Sequence, residues 1–154
     1  MIGEALTAVL AGTLLAAAPA SATAEPESAP GEVLGRCMVL KSTGADRLLV
    51  ARWFVAATAS APQAADVATV RSGRKDELDR AMAALFTRLL ATDCADEARP
   101  LFAAGAGSEA GFRVAGEALG RVAIGELLGN QAARTALSAY TKYLRPEDFR
   151  KFAR

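Results

Sequence analysis

Apolar positions recur at helical spacing from Glu32 to the C-terminus, and no stretch alternates apolar and polar residues in the two-residue rhythm of a strand. The pattern predicts an all-α protein, a compact single-domain bundle of five to seven helices covering residues 32–154. The first helix is expected over residues 32–42, "EVLGRCMVLKS", before the break "STGAD". The second opens at Asp46 and reads "RLLVARWFVAATASA", apolar on nearly every side apart from Arg47 and Arg52. A helix with so little polar face belongs at the centre of a bundle. Pro62 closes it, "QAADVATV" adds a short helical turn, and "RSGRK" is a loop with Ser72 as the next cap.

Residues 76–91 form the clearest amphipathic segment, with Leu78, Met82, Leu85, Phe86 and Leu89 on one stripe. Asp76, Glu77 and Asp79 sit at its positive N-terminal end. Thr92 or Asp93 should cap a short helix that Pro100 breaks or restarts. After the loop "AAGAGSEAG", residues 110–129 turn Phe112, Ala115, Leu119, Val122 and Ala123 inward. Gly116, Gly120, Gly125 and Gly129 lie in the same helix. Glycine inside a helix costs roughly 1 kcal/mol relative to alanine, so these four are expected where another backbone comes close. Asn130 caps a following helix with Ala133, Leu137, Tyr140 and Leu144 on one side, and Pro146 begins a last short helix that should dock Phe149 and Phe152.

The first two dozen residues follow a different pattern. Residues 5–18, "ALTAVLAGTLLAAA", are apolar or small throughout, and "PASATA" follows with alanine at alternating positions. This is the form of a secretory signal peptide over residues 1–24, shorter than the ~20 apolar residues of a spanning helix. Cleavage is expected after Ala24, with Ala22 as the second fit, leaving "EPESAPG" (25–31) as a flexible tail. The segment "MIGE" departs from the pattern, since it carries Glu4 and no basic residue. The mature chain is then expected in the periplasm or outside the cell, with no membrane span.

Composition narrows the chemistry. With Glu4 removed, 18 basic residues face 16 acidic ones, and no concentrated basic run suggests nucleic-acid binding. The chain has no histidine, which removes the commonest general base, Ser-His and Cys-His nucleophile pairs, and imidazole ligation of zinc, copper or haem. Two cysteines cannot build a four-thiolate metal site within one chain. No cofactor is implied. Export and the count of two favour a Cys37–Cys94 disulfide, closing a loop of about 57 residues worth about 4 kcal/mol by chain entropy. A reactive Cys94 is the rival reading, since a helix start lowers a thiol's pKa, but Asp93, Asp96 and Glu97 oppose a thiolate there.

The remaining motifs carry little. "GRCMVLKS" has Leu40 where a phosphate loop needs glycine before its lysine, and "KSTG" has no Ser-x-x-Lys partner. The acidic clusters lack the loop spacing of a calcium site. Glu117 and Arg121, four apart, read as a surface pair. Arg52, beside the single Trp53, is the residue to watch: it pairs with a buried acid or lines an anion pocket. These features point to an exported, non-catalytic protein-interaction module whose partner is a protein or envelope component. The alternatives are a carrier with an apolar pocket lined by Trp53, Phe86 and Phe112, and a histidine-free enzyme built on two facing carboxylates.

Overall fold

The computed structural model describes residues 28–152; the expected signal peptide, both cleavage sites and residues 25–27 lie outside them. It is all-α, with six α-helices and no strand among the described residues. Helix α1 spans Ser28–Lys41, so the end of the expected tail is already helical and Gly31 is buried. Helix α2 spans Gly44–Ala59, α3 Arg74–Arg88, α4 Ala95–Ala103, α5 Glu109–Gly129 and α6 Gln131–Ser138. One turn of π-helix, Leu89–Asp93, joins α3 to α4, and short 3₁₀ segments follow at Ala139–Tyr143 and Pro146–Phe152.

Local chemistry sets most of the boundaries. Thr43 caps α2 through a reciprocal box: its hydroxyl accepts from the Asp46 N–H, and the Asp46 carboxylate accepts from the Thr43 N–H at 2.7 Å. That starts the helix two residues before Asp46. Gly73, not Ser72, precedes α3, in a left-handed conformation (φ 76°) that glycine adopts without strain. Cys94 takes the cap position of α4 where Thr92 or Asp93 was expected, and Pro100 lies inside α4 without ending it. Asn130 caps α6 as the sequence predicts, accepting from the N–H groups of Ala132 and Ala133.

The central pair is α1 and α5, not α2. A Cβ on Gly31 would fall on the Gly111 carbonyl oxygen, 2.7 Å from its Cα. A Cβ on Gly35 would lie 3.0 Å from the Ala118 Cβ and 3.2 Å from the Ala115 Cα. Small residues four apart on both helices therefore let the two backbones meet, and Leu34, Met38 and Leu119 fill the space beside them. The glycines expected at such a contact, Gly116, Gly120, Gly125 and Gly129, have open space where a Cβ would stand. Helix α2 lies against α3 and α5 and buries Val50, Ala51 and Ala56, but Leu48, Phe54 and Val55 stay exposed. Its nearly continuous apolar surface is more than its neighbours cover.

Helix α3 buries Leu78, Met82 and Leu85 as its pattern predicts, with Phe86 half-buried, and the stripe continues into the π turn with buried Leu89. Cys37 and Cys94 lie at disulfide distance, with an S–S separation of 2.03 Å, linking α1 to the start of α4. Beyond Asn130 the chain leaves the core. Among residues 131–150 only Ala133 is even half-buried, so Leu137, Tyr140, Leu144 and Phe149 do not dock as expected. The side chain of Phe152 lies outside what is described.

Candidate functional site

The open glycines of α5 form the floor of a groove. Gly116, Gly120 and Gly125 lie along its base, Val50, Trp53 and Phe54 of α2 form one wall with Met82 and Phe86 of α3, and Ile124 and Leu128 of α5 complete it. Its volume is about 760 Å³, within the range of ligand-binding clefts. Among the described residues, the charged ones on its border are Glu117 and Arg121. Phe86 and Gly116 are shared with an adjoining apolar hollow of about 360 Å³, reached past Phe112 and Phe102, whose rings stack at an angle with centroids 5.0 Å apart. The combined trough follows the i, i+4 row Phe112, Gly116, Gly120, Ile124, Leu128 along α5.

Trp53 is fixed in this wall by its polar edge. Its indole N–H donates to Asp79 Oδ1 at 2.7 Å, and Lys75, 5.9 Å from the ring centroid, donates to the same carboxylate. The Lys75 ammonium and then the Trp53 N–H hold the Asp79 carboxyl below its ordinary pKa, against a smaller opposing effect of burial. The indole is thus oriented while its apolar face remains available to the groove.

Arg52, adjacent in sequence, serves another surface. It borders a separate hollow of about 590 Å³ with Arg71 and Arg74, over Leu48, Val55 and Leu78. It is exposed, and among the described residues no carboxylate pairs with it. Of the two readings of Arg52, no acid among the described residues pairs with it, and it lines a hollow with two further arginines. The structure does not bring Arg52 and Trp53 together at one site.

The thiols are a staple. Glu97 lies close enough to Cys37 and Cys94 to complete a three-ligand cluster, with the three donor atoms within 4.8 Å of one another, but bonded sulfurs carry no thiolate to offer a metal. Glu117 is held by Arg113 at 2.9 Å, leaving the expected Glu117–Arg121 pair unformed. Glu32 and Glu117 border one shallow hollow between α1 and α5, and Arg36 and Arg121 share that border.

A different set of charges ties the helices together. Arg88 bridges Asp46 of α2 and Asp93 of the π turn, both at 2.7 Å, and Arg47 reaches Glu126 of α5 at 2.6 Å and the Ser42 carbonyl at 2.7 Å. Burial pushes the Asp46 carboxyl up, but the Thr43 N–H, the Thr43 hydroxyl and the Arg88 guanidinium outweigh it and hold the group below its ordinary pKa. Arg47 and Arg88 read as surface residues in sequence. Neither helix alone reveals a bond to a residue 79 or 42 positions away.

A scan of protein-family models finds no match to the chain, and neither curated proteins nor solved structures show a significant likeness. The fold and site define a disulfide-linked all-α bundle with an open apolar groove on its longest helix. No described helix is long and apolar enough to cross a membrane.

Proposed function

We propose that the chain is an exported, non-catalytic protein-interaction module whose groove receives an amphipathic helix from a protein partner. The observation that carries this reading is the glycine floor. Gly116, Gly120 and Gly125 forgo helix propensity, and the space these three leave is lined by aromatic and aliphatic side chains open to solvent. A trough that is long, open and nearly uncharged suits the apolar stripe of a helix, read at i, i+4 intervals. A small ligand would instead call for an enclosed pocket with a few polar groups to orient it. The run "ALTAVLAGTLLAAA" and a disulfide-spaced pair support export to an oxidising compartment.

Trp53 is the single tryptophan and stands in the groove wall, so its emission reports occupancy directly. A blue shift with amphipathic helical peptides, lost in Gly120→Phe, is the expected result. A spectrum that responds to small hydrophobic compounds and ignores peptides would transfer the site to the carrier alternative. N-terminal sequencing of the secreted or periplasmic protein tests the address, with Glu25 expected first.

A further inference from the structure

The occupant of the groove can be named from the chain itself. We infer that the C-terminal arm, residues 131–152, docks in the groove of a second copy, so that two chains pair by exchanging arms; this rests on the helix-docking reading above. Helix α6 and the turns after it carry Leu137, Tyr140, Tyr143, Leu144 and Phe149, between 48% and 76% exposed, and bury no side chain among those described. An amphipathic segment with its apolar stripe in water has no reason to be ordered alone. Among the described residues, nothing in the same copy covers the apolar trough.

Three quantities match. Residues 131–143, the part of the arm matched to the groove, extend about 22 Å as two α turns and a 3₁₀ piece, against about 18 Å of groove from Gly116 to Leu128, with residues 144–152 continuing past its end. Four aromatic side chains, at about 150–250 Å² each when fully exposed, are Tyr140, Tyr143 and Phe149 of the arm and Phe54 of the groove; with Leu137, Leu144 and Leu128, and at 45–76% exposure, they present on the order of 700 Å² per copy. That is about one side of a standard stable interface. The third is the joint: Asn130 alone separates α5 from α6, serving as the end of one and the cap of the other. Helices that fold back on each other are joined by 2–8 residues, and a shorter hinge directs the element to a neighbouring molecule instead. The arm therefore reaches a second copy's groove and not its own, giving a symmetric, closed pair.

Sedimentation equilibrium of the full mature chain with its disulfide intact is expected to give a dimer at micromolar concentration. Leu137→Asp with Tyr140→Asp removes the arm's stripe, and Gly120→Phe fills the groove where a Cβ has open space; each alone should weaken pairing at least 100-fold while keeping helical content. Mixed in equal amounts, the two variants should pair with each other, because one retains the groove and the other the arm. A monomeric wild-type chain at 100 μM, a dimer unchanged by the arm variant, or failure of the mixture to pair would overturn the inference. So would an arm-dependent Trp53 shift that is independent of concentration, which would place the arm in its own groove. If the chain is monomeric yet its groove still shifts with added amphipathic peptides, arm exchange alone has failed. If the groove responds to neither, the helix-docking reading fails too.

Discussion

Glycine illustrates how one residue type acts oppositely at two places. At Gly31 any side chain meets the Gly111 backbone, so Gly31→Ala should force α1 and α5 apart. Overpacking of this kind costs about 1–3 kcal/mol, read as a lower midpoint in urea. At Gly120 a methyl group meets nothing, so Gly120→Ala should stabilise a single copy by about 1 kcal/mol through helix propensity. An outcome with equal signs at the two positions would contradict the packing described. Asp46 makes the corresponding case for charge. Its folded pKa is depressed, so its contribution is complete above about pH 4 and is lost as acid protonates it below its unfolded value. Asp46→Ala should therefore cost about 1–2 kcal/mol at pH 7, and the difference should shrink as the pH falls through the depressed folded value, where the carboxylate half of the box is protonated in the parent too. Thermal melts of both proteins across that range check the sign. Neither effect is legible along the chain: the sequence marks the glycines as unusual without saying which of them face a backbone, and Asp46 as a cap without showing Arg88.

At the level of elements, periodicity read the amphipathic helix well and the apolar one poorly. The α3 stripe is one-sided, so only one face could be buried, and Leu78, Met82, Leu85 and Leu89 are. Helix α2 offers apolar residues on all sides, and pattern alone does not tell a central helix from one that leaves a wall for a groove. The close α1–α5 pair was hidden for a related reason: Gly31 falls in the expected tail and its partner Gly111, 80 residues on, in the expected loop, while Gly35 and Ala115 lie in two helices whose patterns do not show that they meet. Cysteine counting fared better because two thiols allow one intramolecular pairing. The link joins α1 to the π turn and α4, across elements that are distant in sequence. Cys37→Ala with Cys94→Ala is expected to lower stability by about 4 kcal/mol in chemical denaturation at pH 7. A loss under 1 kcal/mol would mean that packing around Leu34 and Met38 already holds α1 in place.

On the scale of the whole molecule, the helical class was readable because it depends only on the repeat of apolar positions, whereas the groove is formed by surfaces that the pattern assigned to the interior. The arm is the largest such surface: its stripe has the right spacing for a buried helix, and only the fold shows that the bundle is finished before it begins. The α1–α5 contact has a further consequence, in time. A chain made or threaded N-terminus first presents Cys37 and Cys94 well before Glu109 appears, so the sulfurs can join while the wall that covers Gly31 is still missing. A chain halted at Ser108 should accordingly form the disulfide in a glutathione buffer yet exchange its α1 amides freely, whereas one that stays reduced would show that α5 must arrive first. The late helix should then pack its small-residue face against an α1 that is still mobile but already tethered to the start of α4, so its search is made by a chain that oxidation has shortened.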